Sequence, residues 1–371
     1  MASEILLAAL PGCEPACPGC AHRHLSREES EEKKSVFLRK TLHGFVEAMA
    51  PLHSPDPLQR LGYRRQVSLA TQWEVGWQAG MRKKDMVIPI PQCPVHASFV
   101  NEVMARLLPV LPPPERFPMV YYVQSGKQLS LVLKTNAMPA LEWLEPTLVS
   151  ALEALGLEGL WLHLHPSAGK RIFGKEGWHL IWGRSRSKDE DGLWYGPASF
   201  RQLIPSLAAR ALDYAEDFLQ PDASSTVVDL YCGIGASLRV WERHKSACAG
   251  VEWSGEALEC AAINAPGATL FRGLCHQRIP QLEAWLSFLP RRRQTLMYVN
   301  PPRTGLEQEI LHWTTTGLRP EKIAYLSCSA GTLKRDLIYL QTAGYEVCRI
   351  IPFDFFPQTY HVETLSLLTR R

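Results

Sequence analysis

Val228-Asp229-Leu230-Tyr231-Cys232-Gly233-Ile234-Gly235 decides how this chain is read. The apolar run from Thr226 to Leu230 makes a short buried strand, the two glycines form the turn after it, and Ser237 to His244 continues as a helix. Glycine there adopts backbone conformations that a side chain blocks and lets a ligand approach the chain, while the helix start offers free amides. Roughly twenty residues on, a second apolar run, Cys248 to Glu252, ends in a carboxylate placed to accept hydrogen bonds from both hydroxyls of a ribose. The two glycines alone, without the full dinucleotide fingerprint, equally describe an ordinary tight turn. With Glu252 added, the pattern points to a ligand containing adenosine.

Downstream the rhythm repeats. Thr295 to Val299, Lys322 to Ser327, Tyr345 to Phe353 and His361 to Leu368 are further strand candidates, separated by helical stretches, which calls for a parallel sheet with helices on both faces, an α/β domain. Upstream, from about Thr41 to Trp182, the texture changes. Arg65 to Ala70, Met119 to Gln124 and Leu129 to Leu133 read as strands broken by proline-rich joints such as Leu111 to Pro114, so a separate mixed α+β domain is expected. The polar run Arg184 to Gly192 has no apolar period, and it sets the expected division into residues 1–190 and 191–371. A chain of 371 residues is long for a single core, in keeping with two domains.

Hydrophobic residues at 46% and charged residues at 21% fit a globular protein and exclude a disordered or fibrous one. No apolar stretch has the length of a bilayer span, and the reading places the protein in the cytoplasm with no membrane association. The net charge of +3 permits a polyanionic partner without announcing one. Short basic patches, Arg64-Arg65, Arg82 to Lys84, Lys170-Arg171, Arg184 to Lys188 and Arg291 to Arg293, read singly as solvated loops. Ten cysteines are too sparse for a disulfide scaffold, so metal binding or catalysis in a reducing compartment is the expected use. Cys13, Cys17 and Cys20 form C-x3-C-x2-C, with Cys93 apart in the chain. Four thiolates suit a cubane iron-sulfur cluster, and zinc is the rival because His22, His24 and His96 lie close by in sequence.

Three more motifs complete the constellation. Asn300-Pro301-Pro302-Arg303-Thr304-Gly305 follows a strand, where prolines stiffen a loop at the carboxyl edge of the sheet and Asn300 can pair with the edge of a base. Ser327-Cys328-Ser329 ends the next strand, and His361-Val362-Glu363-Thr364-Leu365 puts a carboxylate near the last one. In this order, Asp229 to Gly235, Asn-Pro-Pro-Arg, Ser-Cys-Ser and His-Val-Glu-Thr-Leu resemble the RNA uracil-C5 methyltransferase family, whose class I methyltransferase domain is Rossmann-like and uses S-adenosylmethionine. Ser199-Phe200-Arg201-Gln202 is similar to the family's Phe-x-Gln element.

The resemblance implies a chemistry. C5 of uracil is a poor nucleophile, so a thiolate first adds at C6, and a base later removes the C5 proton so that the thiolate can leave. It makes Cys328 the nucleophile and Glu363 the base. It places Asp229, Tyr231, Gly233, Gly235, Glu252, Gln202 and Asn300 around the cofactor, and Phe200, Asn300 and Arg303 against the extruded uridine. It also favours a [4Fe-4S] cluster on Cys13, Cys17, Cys20 and Cys93, with a structural or RNA-shaping role. No β-barrel precedes the cysteine group, which aligns the chain with the shorter members acting on 23S rRNA; tRNA is the other substrate considered, and no obligate protein partner is implied. Two departures, Ile204 where the family has Asn and Cys275 where it has a carboxylate near the adenine, motivate a rival expectation of a noncatalytic RNA-binding factor that keeps the fold.

Overall fold

The computed structural model describes residues 6–169, 171–290 and 294–371. Lys170 of one basic patch and the whole Arg291 to Arg293 patch lie outside the described residues. The chain forms two units that interleave in sequence. One contains Asp56–Ser199 and the described part of Met1–Ser26; the other contains Arg27–Pro55 and Phe200–Arg371. The expectation of two consecutive segments did not include the return of residues 27–55 to the C-terminal unit. Its physical cause is helix α1 (Arg27–Thr41), whose Leu38, together with Leu42 just after the helix, is fully buried in the core of that unit.

The first unit is built on a seven-stranded sheet in the order β3-β2-β1-β4-β5-β6-β7. Its strands are β1 (Gln66–Trp73), β2 (Trp77–Lys83), β3 (Met86–Pro89), β4 (Met119–Ser125), β5 (Gln128–Leu133), β6 (Gly159–Leu164) and β7 (Trp178–Gly183). Neighbours are antiparallel except β5 and β6. Helices α2 (Ser98–Leu107) and α3 (Pro146–Ala154) contribute Val100, Val103, Leu107 and Leu152 to a core shared with Leu69, Tyr122, Leu131 and Leu162. Each such side chain stabilises the unit by roughly 1.5–3 kcal/mol relative to exposure. The polar run Arg184 to Gly192 contains half of a small hairpin, β8 (Ser187–Lys188) with β9 (Trp194–Tyr195), and Ser187 is buried, hydrogen-bonded to Gln128.

The second unit carries a seven-stranded sheet in the order β12-β11-β10-β13-β14-β16-β15. Chain order is α4 (Pro205–Leu219), β10 (Ser225–Leu230), α5 (Ala236–Arg243), β11 (Ala247–Glu252), α6 (Gly255–Asn264), β12 (Thr269–Arg272), α7 (Ile279–Phe288), β13 (Gln294–Val299), α8 (Gln308–Trp313), β14 (Lys322–Ser327), α9 (Ala330–Thr342), β15 (Tyr345–Phe353) and β16 (Glu363–Arg370). β10 is buried along its full length, which is why its sequence is a continuous apolar run rather than an alternation. The sheet is parallel through β14, whereas β16 runs antiparallel between β14 and β15. This Rossmann-like α/β fold is the expected one, with β16, which runs against all its sheet neighbours, departing from the all-parallel expectation. Among the described residues no helix is long and apolar enough to cross a membrane.

Lys34 of α1 and Asp354, just beyond β15, form an ion pair at 2.5 Å with both side chains fully buried, and Lys34 also donates to the carbonyl of Phe356 at 3.1 Å. The pair fastens the segment leading from β15 toward Glu363. A buried charge is tolerated only when so matched.

Candidate active site

Antiparallel placement of β16 decides the site. Ser327 at the end of β14 pairs with Thr364 near the start of β16, so the next residues outward, Cys328 and Glu363, are lateral neighbours at the same sheet edge. Their proximity is felt electrostatically: burial pushes the Cys328 thiol above its usual range, Glu363 adds to that, and Arg303 opposes it. Glu363 is 3% exposed, and burial raises its carboxyl to about 7 against the opposing hydrogen bond from Gln202 and the charge of Arg303. Gln202 Nε2 donates to Glu363 Oε2 at 3.1 Å, while Gln202 Oε1 is buried without a partner. That orphaned acceptor is an opening for a ligand's N–H. Phe200, two residues earlier, is 61% exposed.

Asn300 directly follows β13 at the same edge, with its N–H donating to the carbonyl of Leu230 at 3.3 Å, and Arg303 comes after it on an exposed loop. That loop is gripped by α9. Thr332 Oγ1 donates to the Arg303 carbonyl at 3.2 Å, and Arg335 Nη2 donates to the carbonyls of Thr304 and Leu306 at 3.1 and 3.0 Å. The fully buried Asp336 accepts from Leu306 N–H at 2.9 Å and from Tyr325 O–H at 2.7 Å. Gly305, at φ +74°, has no room for a side chain, since a Cβ would sit 2.6 Å from Asp336 Oδ2. None of these clamping residues was read from the sequence. The available signal was a carboxylate on the buried stripe of α9 formed by Leu333, Leu337 and Leu340.

The glycine turn also occupies this edge. Glu252, at the end of β11, accepts from Gly233 N–H at 3.1 Å and Ser254 N–H at 2.7 Å, so its carboxylate is fixed beside the turn. Gly233 has φ +55° and open space where a Cβ would stand, which leaves the backbone approachable. Asp229 is fully buried; Trp241 Nε1 donates to its Oδ2 at 2.8 Å, and its Oδ1 has no partner. Burial raises its carboxyl to about 7. A cationic ligand would draw it back toward ionisation. Tyr231 takes up φ +61°, and its hydroxyl donates to Glu307. Cys275 is buried beside Tyr231, Glu307 and Glu252, and Ile204 is a buried residue ahead of α4. These residues suit a nucleoside with a positively charged tail, which is the chemistry of S-adenosylmethionine.

In the first unit the four thiols of the cysteine group are electrostatic neighbours. Cys20 is pushed up by burial and then by Cys93, Cys17 and Cys13. Arg23 closes the loop that carries three of them by donating to the carbonyls of Glu14, Pro15 and Cys17. Two of the nearby imidazoles are engaged with other side chains, His96 with Asn101 at 3.1 Å and His24 with Arg23 at 3.3 Å. Among the described residues, no group of three or more His, Cys, Asp or Glu side chains is drawn close enough to hold a metal ion as it stands.

Comparison with known proteins places this arrangement. A family model described as tRNA (Uracil-5-)-methyltransferase matches residues 289–371, the stretch that holds Asn300, Arg303, Cys328 and Glu363. A Clostridium tetani chain described as an uncharacterized RNA methyltransferase is 33% identical over 403 residues, covering 97% of this chain and 82% of its own length. The 23S rRNA (uracil(1939)-C(5))-methyltransferase RlmD of Pseudomonas fluorescens is 27% identical over 374 residues, covering 95% of this chain and 76% of its own. The chain belongs to the RNA uracil-C5 methyltransferase family. Membership carries the enzyme class, methyl transfer from S-adenosylmethionine to RNA. The family's fold is seen in the tRNA (uracil-54, C5)-methyltransferase of Pyrococcus abyssi, solved with S-adenosyl-L-homocysteine, which superposes with a TM-score of 0.71 at 21% identity over 96% of this chain and 87% of that one.

Proposed function

We propose that this chain methylates C5 of a uridine in 23S rRNA through a covalent adduct on Cys328, in the cytoplasm. The carrying observation is the pairing of Ser327 with Thr364, which sets Cys328 and Glu363 side by side. In this reading the Cys328 thiolate adds to C6 of the ring, forming a C–S bond and moving the C5–C6 electron pair toward O4. S-adenosylmethionine supplies, when bound, an electrophilic methyl group to the carbon so activated. Glu363 then takes the C5 proton; the freed pair re-forms the C5–C6 bond and expels the Cys328 thiolate. Arg303 assists by opposing the rise of both acidic groups, and Gln202 orients Glu363. Phe200 and Asn300 contact the extruded base. Asp229, Tyr231, Gly233, Gly235 and Glu252 surround the cofactor, with Gln202 and Asn300 at the boundary between the two ligands.

The preference for 23S rRNA over tRNA rests on full-length relatives such as the Pseudomonas fluorescens enzyme. Methyluridine mapping in rRNA and tRNA from cells with and without the gene tests the substrate. Cys328→Ala tests the mechanism: no denaturation-resistant RNA adduct forms and methyl transfer falls at least about a thousandfold, while S-adenosylhomocysteine still binds. Full turnover by that variant removes the thiol from the reaction.

We also propose that Cys13, Cys17, Cys20 and Cys93 hold a [4Fe-4S] cluster. All-sulfur neighbours, with His24 and His96 bonded to other side chains, favour it over zinc. The methylation steps need no electron from it. Iron and sulfide in a 1:1 ratio in anaerobically purified protein support this, and zinc in their place overturns it.

A further inference from the structure

His53, Arg210, Tyr214 and Arg349 meet on the surface of the C-terminal unit, and none of them carries a role assigned above. His53 lies on the segment that returns to this unit; its N–H donates to the Pro352 carbonyl at 2.9 Å, and it bridges to Phe353, whose ring it stacks on at 5.2 Å. Tyr214 of α4 packs against the imidazole at 5.3 Å, and the Arg349 guanidinium of β15 stands 5.2 Å over the tyrosine ring. One turn before Tyr214 on α4, Arg210 places Nη1 3.4 Å from His53 Nδ1. Because a guanidinium only donates, that nitrogen accepts and the neutral ring carries its proton on Nε2.

Charge makes this cluster unusual. Arg210 and Arg349 are both exposed, and among the described residues neither joins a carboxylate in an ion pair. His53 is driven below its ordinary range by burial, then by Arg210 from α4 and Arg349 from β15, with no carboxylate acting on it. Two cations and a titratable ring without a counter-charge make a site short of an anion.

Position says which anion. His53 neighbours Phe353, and Phe353 pairs with Glu363 across β15 and β16. Two strand spacings therefore separate His53 from the general base along the sheet edge, about 10 Å. That is the reach of a nucleotide or two from a uridine placed at Cys328. Tyr214 keeps the guanidinium of Arg349 splayed over its face, so the two arginines present forks rather than free-swinging points.

We infer that His53, Arg210 and Arg349, arranged around Tyr214, bind a backbone phosphate of the RNA strand that delivers its uridine to Cys328. The inference rests on the RNA reading above and extends it to the strand's path. Binding the anion raises the His53 midpoint, and by linkage RNA affinity increases as pH falls through that midpoint.

The test uses the full chain with Arg210→Ala, Arg349→Ala and the double variant, and single-stranded RNA that contains the target uridine. Each lost contact lowers the slope of log affinity against log salt by about 0.7, so the double variant loses about 1.4. The KM for RNA rises about tenfold or more while kcat at saturating RNA and S-adenosylhomocysteine affinity hold. Histidine NMR, with the His53 signal assigned by its absence in His53→Gln, shows the midpoint rising when RNA is added and rising less with inorganic phosphate. RNA binding with an unchanged slope and an unmoved His53 midpoint overturns the phosphate site alone. No RNA binding by the unsubstituted protein overturns the RNA reading and this site with it.

Discussion

Gln202 Nε2 donates to Glu363 Oε2 at 3.1 Å, so a residue that precedes α4 holds the carboxylate at the start of β16. The amide stabilises the ionised form of an acid that burial has raised to about 7. In the proposed reaction, the same hydrogen bond leaves Oε1 to face the substrate.

In the proposed mechanism, removing that acid's basicity separates the two halves of the reaction. Glu363→Gln is isosteric and still forms an adduct, but it cannot accept the C5 proton, so methylated RNA accumulates on Cys328. Denaturing gels with RNA labelled from the cofactor's methyl group check this. Loss of adduct together with loss of product instead places Glu363 before methyl transfer.

Glu363 also links stability to pH. Its folded carboxyl is raised from 4.5 to about 7, so the folded state binds the proton more tightly and stability falls as pH rises between those values. The shift corresponds to roughly 3–3.5 kcal/mol at most. Glu363→Gln, which has no charge to bury, should match the parent in thermal stability near pH 5 and exceed it at pH 8. Parallel melting curves across that range decide the point.

Arg303 is the cation that opposes the rise of both Cys328 and Glu363. Arg303→Met therefore moves the alkaline rise of methyl-transfer rate to higher pH and slows iodoacetamide alkylation of Cys328 at pH 7. Alkylation needs no RNA, so it reads the thiol alone. An unmoved alkylation profile shows that Arg303 acts only on substrate.

The loop that carries Arg303 depends on α9. Asp336→Asn keeps the shape but cannot accept both from Leu306 N–H and Tyr325 O–H, which share Oδ2, and from the Arg335 guanidinium at Oδ1, at about 1–3 kcal/mol of stability. Calorimetry measures that cost. Tyr325→Phe, which removes only one donor, should cost less and leave Cys328 reactivity nearer to normal.

Much of this site was legible because its residues are contiguous with strands whose apolar runs are plain. Tyr345 to Phe353 and Lys322 to Ser327 were delimited to the residue, since each is a long run bounded by turn signals. β12 escaped because Thr269–Arg272 is short and half-buried, and β2, β3, β6 and β7 escaped although turn residues such as Gly76, Gly156 and Gly177 precede three of them. The direction of β16 was not legible, because a strand's sequence does not record whether it runs with or against its neighbours; yet that direction creates the Cys328–Glu363 pair. Nor did the sequence display the clamp on Arg303 or the Lys34–Asp354 pair, which join residues 29–30 and 320 positions apart.

The return of residues 27–55 to the C-terminal unit bears on how the protein assembles as it leaves the ribosome. Asp56–Ser199 can close its own sheet while the rest is still being made. Helix α1, synthesised early, waits for α9, and its Lys34 for Asp354, which emerge only near the end of translation. A fragment beginning at residue 200 would fold around a carboxylate with no ammonium to meet it, so the catalytic half is not separable by a single cut, and its last step of maturation must recruit one of its first-made pieces.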